Sequence, residues 1–202
     1  MKLYYSTASP FVRKVLVCAH ECGVAGNIEL APTKVLPVEP NREYARVAPL
    51  MKLPALERDD GLVLFDSIVI CEYVDSLSKG PRLFPAQGDA RWKALRLHAL
   101  ADGILDAAVL ARYENNVRPA ELRWSTWTDG QLIKVDQSLD FLEKNRADLE
   151  GVTIGTIAVG CALGYLDFRY AERKWREGRP KLAAWFEEIA KRPSFQATLP
   201  KA

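Results

Sequence analysis

The pattern of apolar residues changes once along this chain, and the change limits the folds that the chain can adopt. Short strand candidates alternate with helical stretches over residues 1–78, whereas from residue 89 onward apolar residues recur at helical spacing with no convincing strand. Residues 79–88 contain two Pro and two Gly, which favour an irregular connection. We therefore predict a mixed α/β domain over 1–78, a linker over 79–88 and an all-helical bundle over 89–202.

The first domain begins with a strand, a helix and a second strand. KLYY, residues 2–5, is a strand candidate, and apolar residues at helical spacing follow from Val12 to Cys22. NIELAPTKV, residues 27–35, is the second strand candidate. This order predicts a parallel βαβ unit.

A hairpin and a helix complete the first domain. In residues 53–65, LPALERDDGLVLF, two apolar stretches flank Asp60-Gly61, a pair that favours a tight turn between antiparallel strands. The next segment, DSIVICEYVDSL, has apolar residues along one helical face. The order βαβ, then ββα, resembles that of a thioredoxin-like domain.

Composition and charge exclude several classes of protein. The 28 Lys plus Arg nearly balance the 26 Asp plus Glu, and the net charge is +2 without long charged runs, so we expect no general affinity for nucleic acid or acidic membranes. The amino terminus lacks the apolar core of a signal peptide, and no stretch reaches the roughly 18 apolar residues of a membrane span. These features predict a cytoplasmic protein with no membrane partner.

Cysteine and histidine usage predicts neither a disulfide framework nor a metal site. The four cysteines form no Cys-x-x-Cys pair and suit small core positions. The two histidines, His20 and His98, fall in different predicted domains, which disfavours a histidine metal site and a Ser-His-Asp triad.

Two predicted helix starts admit both a structural and a chemical role. Ser9 precedes Pro10, so it suits an N-cap followed by Pro at the first helical position. Asp66 and Ser67 are typical N-cap residues at the start of the next helix. Either start could also hold an anion, because a helix N-terminus offers free N–H groups and partial positive charge.

Four separate stretches resemble the cytosolic glutathione transferase family, and the resemblance covers nearly the whole chain. They are SPFVRKV from Ser9, KLPAL at 52–56, FDSIVICEYV from Phe65 and TIGTIAVGCALGYLDF from Thr153. The strings ADGILDA and GYLDFR further resemble a bacterial subgroup with a serine-type site. The fourth stretch departs from the family pattern, since Thr156 stands where an Asp usually completes the helix cap.

The resemblance implies a role for each of these residues. Ser9 would activate the glutathione thiol. Pro54 would be cis, and the backbone of Leu53 would pair with the cysteinyl part of glutathione. Asp66 and Ser67 would hold the γ-glutamyl group. In the helical domain, the second-substrate pocket would be lined by Tyr113, Tyr165, Phe168 and Arg169.

Four charged residues around this predicted site have roles that the sequence leaves open. Lys52 or Lys34 could meet the glycyl carboxylate of glutathione, although lysines on loops are usually solvated. Arg13 is a weaker candidate for the same role. Asp102 could reach the ammonium group of a ligand across a dimer.

The resemblance as a whole implies a homodimeric glutathione transferase, with glutathione as co-substrate, acting on a small, electrophilic and hydrophobic substrate. A glutathione-dependent thiol oxidoreductase or peroxidase is an alternative, but an oxidoreductase that acts through a mixed disulfide would require a cysteine of low pKa at the position of Ser9. A non-catalytic binding or regulatory protein of the same architecture is another. The retained KLPAL and FDS stretches count against that alternative.

Overall fold

The computed structural model of the protein describes residues 1–201, which group into two compact units. The first unit comprises Met1–Ala86 together with the segment from Pro193 onward, and the second comprises Gln87–Arg192. The predicted division differs at both ends of the second unit. Leu83 and Phe84 of the predicted linker are buried, and the Leu83 N–H donates to Asp75 at 2.6 Å.

The C-terminal segment belongs to the first unit because a short helix ties it to the first long helix. That short helix, α7, spans Pro193–Gln196 and buries the ring of Phe195 completely. Ser194 Oγ donates to Glu21 Oε1 at 2.5 Å, and an Arg13 Nη donates to the Phe195 carbonyl at 3.3 Å. A helix of four residues is too short to show apolar periodicity. The prediction from sequence therefore placed these residues in the helical domain.

The first unit contains a four-stranded mixed sheet in the order β2-β1-β3-β4. Its strands are β1 (Lys2–Tyr5), β2 (Glu29–Pro32), β3 (Ala55–Glu57) and β4 (Val63–Leu64). Strand β1 pairs in parallel with β2 and antiparallel with β3, and β3 pairs antiparallel with β4, which confirms the predicted βαβ unit and hairpin. Gly61 adopts φ of 84° in the hairpin turn, a conformation that favours glycine.

Two helices of the first unit pack against each other. Helix α1 spans Pro10–Glu21 and α2 spans Ser67–Ser76. Each buries one apolar face, with Val12 and Val15 on α1 and Ile70 and Val74 on α2. The four cysteines of the chain form no disulfide and are buried, as small core residues are.

The second unit is all helical and is built around one buried helix. Its helices are α3 (Gly88–Asn116), α4 (Ser125–Lys144), α5 (Ile154–Arg169) and α6 (Pro180–Ala190). Every residue from Ile154 to Leu166 is buried, and α3 lies against both α5 and α4. Gly155 permits this close approach, since a Cβ there would lie 2.5 Å from the Ala94 carbonyl oxygen.

The start of α5 shows how Thr156 replaces the usual carboxylate. The Thr153 N–H donates to Thr156 Oγ1 at 2.8 Å, and the Thr156 N–H donates to Thr153 Oγ1 at 3.3 Å. The hydroxyl therefore completes a reciprocal capping box without a charge. Over residues 1–201, none of the helices combines the length and apolar character needed to cross a bilayer.

Candidate functional site

The sheet topology brings three of the predicted segments to one edge of the first unit. Strand β1 ends at Tyr5 and leads through a turn to Ser9, the N-cap of α1. The antiparallel register Tyr4↔Ala55 places the residues before β3 beside the end of β1. Strand β4 ends at the same edge because it runs antiparallel to β3, so α2 also begins there. Two helix N-termini, each with partial positive charge, therefore lie at one sheet edge.

Ser9 caps α1 and keeps a hydrogen-bond donor to spare. Its Oγ accepts from the Val12 N–H at 3.3 Å, as an N-cap should. A serine hydroxyl can accept and donate at the same time, and no residue in the described 1–201 accepts a bond from this O–H. Capping uses a lone pair of the oxygen, so the proton stays available for an anionic ligand.

The segment before β3 presents free backbone groups. The Leu53–Pro54 peptide bond is cis, as the resemblance implies. Leu53 itself is buried, and within the described residues its N–H and C=O have no backbone partner. Such groups can pair with an extended peptide in the manner of an added strand.

The side chain of Tyr44 supports this segment, a role that the sequence analysis did not predict. Its hydroxyl donates to the Lys52 carbonyl at 2.9 Å. Burial raises the pKa of Tyr44 to about 12, so the donor stays protonated at physiological pH. Tyr44 lies in an irregular, proline-containing stretch where no periodic pattern marks a buried aromatic residue.

Asp66 and Ser67 divide two tasks at the start of α2. Asp66 is exposed and caps the helix, its Oδ1 accepting from the Ile68 N–H at 3.1 Å. Ser67 is only 3 % exposed, yet its hydroxyl has no hydrogen-bond partner over residues 1–201. The Ser67 Oγ is not fully enclosed, because among the described side chains only Arg13 Nε is both buried and unpaired, so this hydroxyl is accessible to a ligand group at the helix start.

The charged residues whose roles the sequence left open have different surroundings. Lys34 pairs with Glu39 at 3.0 Å within its own loop, and Arg13 turns toward Phe195 in the C-terminal segment. Asp102 pairs with His98 one helical turn away, at 3.3 Å. Lys52 is exposed, and its ammonium group has no acidic partner among the residues that the structure describes.

The four predicted second-substrate residues all lie in the second unit, at the C-terminal ends of α3 and α5. Tyr113 lies on α3, and Tyr165, Phe168 and Arg169 lie on α5. Burial raises the pKa values of both tyrosines, that of Tyr165 to about 12. The positive charge of Arg112, which sequence reasoning missed, opposes both shifts. Its charge therefore lies close to this group.

Neither unit offers an evident metal centre. Over residues 1–201, no group of three or more His, Cys, Asp or Glu side chains converges on one point. The arrangement at the sheet edge instead suits a small molecule that carries both an extended peptide backbone and anionic groups.

Comparison with known proteins connects both units to one family. Residues 8–77 match the model for the glutathione S-transferase N-terminal domain, and residues 125–188 match that for the C-terminal domain. The uncharacterised GST-like protein YibF of Escherichia coli (strain K12) is 34% identical over 99% of this chain and 98% of its own length.

Solved structures extend the comparison to bound ligands. A glutathione transferase family member from Pseudomonas fluorescens Pf-5, crystallised with bound glutathione, matches with a TM-score of 0.97 and 46% identity, covering 100% of this chain and 99% of that one. A second structure with bound S-(propanoic acid)-glutathione matches with a TM-score of 0.92 and 46% identity, covering 100% of both chains.

Proposed function

Because the chain belongs to the glutathione S-transferase family, we propose that it is a glutathione transferase, which ionises the thiol of glutathione and directs it at an electrophile. The observation that carries this proposal is the Ser9 hydroxyl, which accepts the capping bond from Val12 while its own proton has no acceptor in the described chain. The ligands of the neighbouring structures, glutathione and an S-substituted glutathione, support the proposal.

Ser9 and α1 are sufficient to activate a thiol. A free thiol with a pKa of about 8.5 is only a few per cent ionised at neutral pH, and lowering that pKa by roughly two units requires about 2.7 kcal/mol. A hydrogen bond to a charged acceptor supplies about 1.5–3 kcal/mol, and a helix N-terminus adds about 0.3–2 kcal/mol. One hydroxyl and one helix end therefore meet the requirement.

The remaining groups at the sheet edge would hold the peptide. In this proposal the free N–H and C=O of Leu53 pair with the cysteinyl part of glutathione, beside the cis Pro54. The unpaired Ser67 hydroxyl and the N-terminus of α2 bind the γ-glutamyl carboxylate, while Asp66 attracts its ammonium group. Lys52 is the candidate for the glycyl carboxylate.

The cysteines disfavour a thiol oxidoreductase. That chemistry needs an accessible thiol of low pKa, whereas the four cysteines are all buried and burial raises the pKa of Cys22 to about 11. Serine also occupies the N-cap of α1, where such an enzyme would want cysteine. We also propose a cytoplasmic location, which suits four cysteines that form no disulfide.

We further propose that the protein is a homodimer that uses α3. Leu97 and Ile104 are buried inside the second unit, whereas Trp92 is 66 % exposed on the same helix. A helix that packs only within its own bundle needs a single apolar face. An exposed tryptophan is suited to a subunit contact.

The test is retention on immobilised glutathione, followed by a conjugation assay with a reactive aryl halide such as 1-chloro-2,4-dinitrobenzene. We expect both retention and turnover. Retention without turnover, extended to several electrophiles, would favour a non-catalytic binding protein. Loss of retention would remove glutathione from the proposal altogether.

A further inference from the structure

The C-terminal ends of α3 and α5 lie side by side in the second unit. Tyr170, the residue after α5, donates a hydrogen bond from its hydroxyl to the Ala108 carbonyl of α3 at 2.6 Å. Arg112 follows Ala108 by one helical turn on α3. Tyr165 and Arg169 are four residues apart on α5 and so share a face.

The two arginines at this point are positive charges without acidic partners. Neither the Arg112 nor the Arg169 guanidinium forms an ion pair or hydrogen bond with any residue of the described chain. Elsewhere in the same unit Arg118 pairs with Glu114 at 2.7 Å, and Arg176 pairs with Asp167 at 2.6 Å. Both unpaired arginines are nevertheless half-buried rather than free in solvent.

The proximity of the two charges is unfavourable in the absence of an anion. Burial lowers the pKa of the Arg169 guanidinium, and the positive charge of Arg112 lowers it further. Two like charges near a protein surface repel each other, and a negative group between them would turn that repulsion into attraction.

Aromatic neighbours fix one arginine and add donors. The Arg169 guanidinium lies over the Phe168 ring, with its carbon 3.8 Å from the ring centroid. Stacking uses a face of the guanidinium and leaves the N–H groups along its edge available. Tyr165 is 4 % exposed and Tyr113 is half-buried, and over residues 1–201 neither hydroxyl has a hydrogen-bond partner.

We propose that Arg112 and Arg169, with the hydroxyls of Tyr113 and Tyr165, form an anion site that takes the carboxylate of the second substrate. A carboxylate accepts the paired N–H donors of arginine and tyrosine O–H groups with matching geometry. The inference rests on the proposed transferase function for the identity of that substrate. It changes the expected substrate from a purely hydrophobic electrophile to one that carries an acid group.

The kinetic test uses two acceptors that differ only in this group. These are 4-chloro-3,5-dinitrobenzoate and its methyl ester, in both of which the thiolate forms a C–S bond and chloride leaves. We expect Arg112→Gln and Arg169→Gln each to lower kcat/KM for the acid at least about tenfold, and to change it by less than about twofold for the ester. Lys134→Gln removes the same charge from the exposed face of α4 and should change neither.

A binding measurement keeps the anion site separate from catalysis. In calorimetry, wild-type protein should bind 4-nitrobenzoate at least about tenfold more tightly than 4-nitrobenzamide, and either Gln variant should abolish the difference. Arg169→Lys keeps the positive charge and should retain part of the preference for 4-nitrobenzoate. The same comparison shows whether each variant is folded, since nitrobenzamide affinity should be unchanged.

Three results would overturn the proposal. The first is an equal loss for acid and ester, and the second is no preference for nitrobenzoate in the wild-type protein. The third is a rise in KM for glutathione in the Gln variants while the ratio of kcat/KM for the acid to kcat/KM for the ester stays unchanged. The arginines would then bind a carboxylate of glutathione instead. If neither these acceptors nor 1-chloro-2,4-dinitrobenzene and further electrophiles are turned over, the transferase function fails, while nitrobenzoate binding still decides the anion site.

Discussion

Replacing Ser9 with alanine should shift the pH dependence of conjugation rather than abolish it. The substitution removes one hydrogen bond to the thiolate, which costs about 1.5–3 kcal/mol and raises the thiol pKa by roughly one to two units. From a starting pKa of roughly 6.5, the thiolate fraction at pH 6.5 falls from about one half to about 0.6–7 %. We therefore expect kcat/KM to drop roughly 7- to 80-fold at pH 6.5 and less than about twofold at pH 9, because the thiol ionises there without help.

The assay is the pH profile of kcat/KM with 1-chloro-2,4-dinitrobenzene, together with glutathione affinity by calorimetry. Affinity should stay within several-fold of wild type, since the other groups hold the peptide. Ser9→Ala also removes the N-cap that Val12 uses, at a cost of about 1 kcal/mol of folding stability. Thr153→Ala is the matched control, because it removes an N-cap from α5. It should lower folding stability by a similar amount to Ser9→Ala and leave the pH profile of kcat/KM unchanged.

Ser9→Thr completes the series, since it keeps both the cap and the hydroxyl and should retain the wild-type profile. A Ser9→Ala profile that superimposes on that of wild type between pH 6 and 8 would refute the reasoning. Ser9 would then be a helix cap alone.

Three further substitutions test other parts of the structure. Ser67→Ala should weaken glutathione binding by about 1.5–3 kcal/mol through the loss of a charge-assisted hydrogen bond, and equal affinity in calorimetry would place the γ-glutamyl group elsewhere. Gly155→Ala should lower the free energy of unfolding in urea by about 1–3 kcal/mol or more, because the new Cβ would lie 2.5 Å from the Ala94 carbonyl oxygen. Unchanged stability would mean that the backbones of α3 and α5 can move apart at that point without loss of packing energy. Trp92→Glu should convert a dimer of twice 22.6 kDa into a monomer in light scattering at low micromolar concentration, and a wild-type monomer would contradict the dimer proposal.

Much of the fold could be predicted from the sequence because its signals act over a few residues. The hairpin turn at Gly61, the cap at Ser9 and the cap at Asp66 each depend on contacts within about four positions. The change from mixed to purely helical spacing likewise predicted the two kinds of unit. The cis bond before Pro54 followed from the resemblance and is present. The roles of these residues toward glutathione stay predictions.

The tertiary structure decided which of the candidate groups are free and which are engaged. Lys34 and Arg13 looked similar to Lys52 as lone cations in sequence, but the first has a carboxylate partner and the second a carbonyl partner 182 residues away. The bond from Tyr44 to Lys52 likewise gives no periodic signal.

The clearest case is Arg112, which no local pattern distinguishes from other arginines on helices. It lies 57 positions before Arg169, and only the packing of α3 on α5 brings their charges together. Caps and turns are determined by the residues next to them, so the sequence alone fixes them. Whether a buried hydroxyl or guanidinium has a partner depends on residues brought close by packing, and for that reason only the tertiary structure shows it.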